Sequence, residues 1–238
     1  MLVDIFSSFD DNNQVFMSMY MLVWLFSLMS VSLFSFSYWV IFPCWNNIIL
    51  IFKDTVSSQI FRSFGLHMGG FINVVSGLFI FLILMNLSGL IPYMFSSTSH
   101  LVVSLSLGLP LWLALLISAV IFNPYSFVAG LLPMGAPAPL NPFLVIIETV
   151  SILVRPITLS VRLTANMSAG HIVLTLIGNY LTSSFFMSSI FSMVLLVLIQ
   201  VFYTIFEFGI SVIQAYIFCL LITLYSDEHP HVSASNSD

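Results

Sequence analysis

Residues 15–42, 71–92 and 101–122 contain no charged side chain. Each run reaches or exceeds the about 20 apolar residues that cross hydrocarbon as a helix rising about 1.5 Å per residue. A soluble fold would have to bury all of them, and the chain lacks the polar surface to do so. Only 5% of its 238 residues are charged, against about 25% in soluble domains. The runs show none of the apolar-polar alternation of a membrane barrel, so their backbone groups must be satisfied inside helices. The fold class that follows is all-α, a polytopic integral membrane protein forming one membrane domain over residues 1–238.

The same residues exclude several functions. Four Lys and Arg stand against nine Asp and Glu, a formal net charge of -5, which rules out a basic nucleic-acid surface. Cys44 and Cys219 lie far apart without His or Cys at ligand spacing, so neither a disulfide framework nor a metal site is indicated. No phosphate-binding loop occurs, which assigns any nucleotide chemistry to other proteins. The first dozen residues hold Asp4, Asp10 and Asp11 and no Lys or Arg, unlike a secretory or transit sequence. Synthesis inside an organelle, or a bacterial membrane, is the expectation.

After the first span, residues 47–67 mix Lys53, Asp54, Gln59 and Arg62 with Ile and Phe, the pattern of a helix lying along an interface. Residues 123–142 are broken by Pro and Gly and read as a loop. Residues 143–177 and 181–225, joined at Gly178 and Asn179, would each be roughly 50 to 65 Å long as helices, against hydrocarbon about 30 Å thick. A long, steeply tilted C-terminal hairpin accommodates that mismatch, followed by a polar tail at 226–238. Lys53 and Arg62 place the link after span one on the inner face, cytoplasm or matrix, and the N-terminus outside. Two full crossings by the hairpin would leave the tail inside, whereas its lack of Lys and Arg prefers outside; an odd net crossing would remove that conflict.

The hairpin carries the chemistry. Glu148, Arg155 and Arg162 recur at every seventh position, which returns a helix to within about 20° of one face. Thr158 and Asn166 extend that strip. Gln200, Glu207 and Gln214 repeat the spacing on the next helix, with Thr204 and Ser211 alongside. A charge at the bilayer centre costs about 2.5 to 3.5 kcal/mol on insertion scales, so these groups face protein or water. They either glue helices together by interhelical hydrogen bonds or serve function. For Arg162 function is favoured, because a guanidinium stays protonated and attracts a carboxylate without donating its own proton. His171 points to roughly the opposite side of its helix, with Ser160 and Thr164, and with an acid such as Glu207 it is a plausible proton relay. Pro156 is read as a structural bend.

The segments "SVRLTANMSAGHIVLTLIG", "FEFGISVIQAYIF", "MNLSGLIPYMF" and "GAPAPLNPFLVIIE" resemble the a subunit of F-type ATP synthase in its mitochondrial form. The resemblance runs from about the second span to Tyr225. It implies a stator against a ring of c subunits with membrane-buried carboxylates, together with peripheral-stalk and other small membrane subunits, in the mitochondrial inner membrane. Two aqueous half-channels would bring protons to the ring and take them away. By the same resemblance Arg162 matches the essential arginine, His171 and Glu207 the polar pair of the outer half-channel, and Gln214 the glutamine near the arginine. Glu148 matches an acid at the inner exit, Arg155 a second basic position, and Asn166 a structural member of the arginine motif. No cofactor is implied, and His229 and His231 in the tail receive no role. Two other classes remain: a transporter or channel whose Arg162 binds an anionic substrate, and a structural subunit whose polar seams are glue.

Overall fold

The computed structural model describes residues 44–63, 65, 68–91, 95–132, 140–186 and 190–229, with isolated positions at 9, 25 and 29. Every regular element among them is helical, so the all-α expectation holds. In chain order they are α1 (Cys44–Ile60), α2 (Phe71–Gly89), a short 3-10 turn (Ser97–Ser99), α3 (Leu101–Phe122), α4 (Pro124–Gly130), α5 (Asn141–Phe186) and α6 (Ile190–Asp227). Among the described residues four helices, α2, α3, α5 and α6, are long and apolar enough to cross a membrane. The span at 15–42 lies outside the described residues except for Leu25 and Met29, both exposed.

α2 is the centre of the bundle. It has no charge to keep in water, so Val75, Phe79, Leu82 and Ile83 are free to pack against Val56 and Ile60 of α1, and Phe218, Cys219 and Ile222 of α6. Leu159 and Leu163 of α5 close the same core. Gly70 caps α2 with φ +83, a left-handed geometry that glycine adopts without a Cβ penalty. α1 keeps Lys53 and Asp54 exposed while burying Val56 and Ile60. Its Gln59 side chain donates to the Tyr216 hydroxyl of α6, which fastens this amphipathic helix to the bundle.

Two boundaries differ from the sequence reading. Gly178 and Asn179 do not separate the hairpin helices: both lie inside α5, which continues through 181–186. Glycine costs a helix only about 1 kcal/mol, less than unpaired backbone costs in hydrocarbon, and no proline follows to stop the helix. α5 therefore has 46 residues, roughly 70 Å. The stretch read as a loop holds a helix, α4, because Asn123 accepts from Ser126 N at 3.3 Å and Pro124 sits at the first turn, both helix-starting signals.

The end of α6 settles which ends of the bundle lie together. Ser226 packs on Gly65, Glu228 contacts Arg155 of α5, and the His229 ring lies 5.5 Å from that of Phe122 at the end of α3. α6 thus runs back along α5, and its end lies beside the ends of α1 and α3. The α1 end and the start of the tail share one side.

Candidate functional site

Arg162 lies part-way along α5. Leu159 and Leu163, on its inward flank, are buried at 5% and 2% exposure, so the helix turns the guanidinium outward, where it is exposed. Gln214 and Ile217 of α6 line a narrow cleft with it, and Asn166, one turn on, is half-buried. Among the described residues Arg162 forms no ion pair, whereas Arg155 forms two. An outward cation on a membrane-length helix needs an anionic or hydrated neighbour beyond the described residues, since bare hydrocarbon is costly.

About a turn or two beyond, toward the α2–α3 link, a second polar group is enclosed. Glu207 of α6 is 1% exposed, its carboxylate seated against the bare backbone of Gly170 on α5. Its Oε1 has no hydrogen-bond partner among the described residues. Asn86 of α2, fully buried, donates to the Ser211 carbonyl at 3.2 Å and leaves Oδ1 unpaired among the described residues. Half-buried His171 faces Gly89 of α2, its Nε2 also unpaired among the described residues. Ser97 and Thr98 of the 3-10 turn add buried hydroxyl oxygens that have no hydrogen-bond partner among the described residues. Glu207 and His171 are thus brought to one region without a direct hydrogen bond between them. Unpaired buried polar atoms are rare in folded proteins and call for an explanation.

On the other side of Arg162, toward the tail, a third group surrounds Arg155. Its Nη2 stands 3.7 Å from Glu148 Oε1, its Nη1 contacts Glu228 Oε2, and its guanidinium lies 5.3 Å from the centre of the Tyr225 ring. A cavity of about 410 Å³ opens here between α3, α4, α5 and the end of α6, lined by Glu148, Arg155, Glu228, His229 and Trp112 among others.

The seams read from the sequence meet selectively. Arg162 and Gln214 share a cleft. Thr158 and Thr204 donate to their own helices, to Arg155 O at 2.9 Å and Val201 O at 2.8 Å. Ser211, fully buried, likewise donates to Phe208 O at 2.7 Å. Hydroxyls satisfied in this way do not bridge helices. Sequence reasoning missed Asn86, Gly170 and Glu228. For Gly170 a signal existed, a glycine placed in a helix interior despite its poor propensity; Glu228 was assigned to the tail because polarity begins there.

Helices of this length and apolarity, with charged and polar groups enclosed between them, define a polytopic membrane protein. Residues 14–227 match the family model described as ATP synthase A chain. The chain is 38% identical to ATP synthase subunit a of Artemia franciscana, over 96% of this chain and 100% of that one. It is 39% identical to ATP synthase subunit a of Drosophila yakuba, over 96% and 99%, and 38% to that of Anopheles gambiae, over 96% and 99%. The chain belongs to the ATP synthase A chain family. It is a membrane subunit of the F-type complex, associated with the rest of that complex and not an enzyme alone. Its apolar helices and animal relatives make it a multi-pass protein of the mitochondrial inner membrane.

Proposed function

We propose that this chain conducts protons through two half-channels that end on opposite sides of Arg162, each delivering to or accepting from the carboxylates of a rotating c ring. The observation that carries this reading is the order along α5: Glu148 and Arg155, then the outward Arg162, without an ion pair among the described residues, then Gly170 and His171 beside Glu207. The polar clusters lie roughly 10 Å to either side of Arg162, at 1.5 Å per residue. A ring carboxylate opposite Arg162 is held ionised by the adjacent cation. Once moved toward Glu207 and His171 it takes up a proton, and as a neutral group it passes into lipid at little cost.

Unpaired oxygen and nitrogen atoms on Asn86, Ser97, Thr98, His171 and Glu207 supply donors and acceptors for a hydrated outer path. After a circuit of the ring the carboxylate loses its proton toward Glu148. Arg162 also opposes direct leakage, because a fixed positive charge between two aqueous inlets repels a passing proton. With the α1 cations on the inner face, the N-terminus faces the intermembrane space, and the Glu148 cavity opens inward. Gln214 orients the guanidinium from α6, and peripheral-stalk and small membrane subunits hold the chain against the ring.

The test is ATP-driven proton pumping by the assembled complex in vesicles. Arg162→Ala and Arg162→Lys abolish coupled pumping on this reading, the lysine because its proton is lost readily on burial. Coupled pumping retained in either variant contradicts the role.

A further inference from the structure

Glu228 lies just past the end of α6, where nothing in the proton path requires an acid. Asp227 and Glu228 follow one another there, and the last turn of α6 holds no basic residue. Carboxylates at a helix C-terminus oppose the helix dipole, so the fold has a reason to bring them a cation from elsewhere. Arg155 of α5 is that cation. Its Nη1 contacts Glu228 while its Nη2 stands 3.7 Å from Glu148, and Tyr225, on the same end of α6, lies beneath its guanidinium.

We infer that Glu228 is a positioning residue: it draws Arg155 toward the end of α6 and so keeps Glu148 available as a proton acceptor in the cavity they share. The inference rests on the reading above that Glu148 serves the inner exit. Glu148 and Glu228 compete for one guanidinium, and both are partly exposed to the cavity, at 40% and 48%. While Glu228 holds Nη1, Glu148 meets the cation only at arm's length and can exchange protons with water. Without Glu228 the guanidinium closes on Glu148 in a two-point pair, the geometry arginine favours with a carboxylate, and the acid is then occupied. His229, beside Phe122 and lining the same cavity, places the start of the tail over this mouth.

The experiment measures ATP-driven proton pumping in vesicles containing the whole complex, normalised to assembled complex on native gels. Glu228→Gln is expected to lower the rate about two- to fivefold, the range available to a part-exposed ion pair, and Glu228→Asp to recover most of the loss. Because the damage acts through Arg155, the double variant Glu228→Gln/Arg155→Gln pumps faster than Glu228→Gln alone. A double variant no faster than the single, or Glu228→Gln pumping at the wild-type rate, overturns the inference, as does Glu228→Asp behaving like Glu228→Gln. Arg162→Ala run in parallel separates the two ideas. If it pumps, the proton-path reading fails; if it is dead while Glu228→Gln is normal, only the positioning role fails.

Discussion

Gly170 of α5 stands where a side chain would collide with the carboxylate of Glu207: a methyl group there overlaps both oxygens. The collision is with the end of a flexible side chain, so Gly170→Ala is expected to assemble, with Glu207 displaced from its seat. ATP-driven pumping then falls at least about tenfold, as for Glu207→Gln, since a misplaced or missing acid-base group costs about 10² or more in proton transfer. The two changes combined are no worse than either alone. Full pumping in Gly170→Ala would reduce the close approach to packing.

The Gln59–Tyr216 bond is the polar tie between α1 and α6. Tyr216→Phe removes the acceptor and leaves a half-buried amide without its partner, a loss of about 1 kcal/mol. The expected result is an earlier thermal aggregation midpoint of the complex in detergent, with proton pumping per assembled complex unchanged. An unchanged midpoint would show that α1 is held by Val56 and Ile60 alone.

What could be read from the sequence follows from the range of the forces involved. Charge-free runs dictate membrane helices because hydrocarbon permits no other backbone solution, so α2 and α3 were legible from composition alone. The break at Gly178 and Asn179 was misplaced because local propensity is weak, and nothing local says that α5 continues to Phe186. The heptad spacing correctly put Arg155 near Glu148, but it could not show that α6 returns Glu228 to the same arginine. Asn86 was invisible as a site residue for a related reason: its partner, the Ser211 carbonyl, belongs to a helix far along the chain.

Gly108 fixes how closely α3 approaches the hairpin. A Cβ at this position would meet Leu159 Cδ2 at 3.4 Å and Phe218 Cζ at 3.7 Å, ordinary contact distances with no room beyond them. Gly108→Ala is therefore tolerated, whereas Gly108→Leu overpacks the junction at a cost of about 1 to 3 kcal/mol. The check is the amount of assembled complex on native gels, wild-type for Ala and reduced for Leu. Equal assembly of both would mean that α3 can shift outward into lipid.

Asn86 separates a proton route from a packing link. Its Nδ2 donates to Ser211 O at 3.2 Å, and its Oδ1, fully buried, faces no protein donor. Leu shares the branching at Cγ although it is larger, and the Ser211 carbonyl keeps its place in the α6 helix, so Asn86→Leu loses about 1 to 3 kcal/mol of stability. If Oδ1 accepts from water on the way to Glu207, replacing it with an apolar group interrupts that path beside the buried acid. Pumping per assembled complex then falls several-fold, while Asn86→Gln, which retains the amide, is less affected. Wild-type pumping by Asn86→Leu would assign the outer route to His171, Ser97 and Thr98 without help from α2.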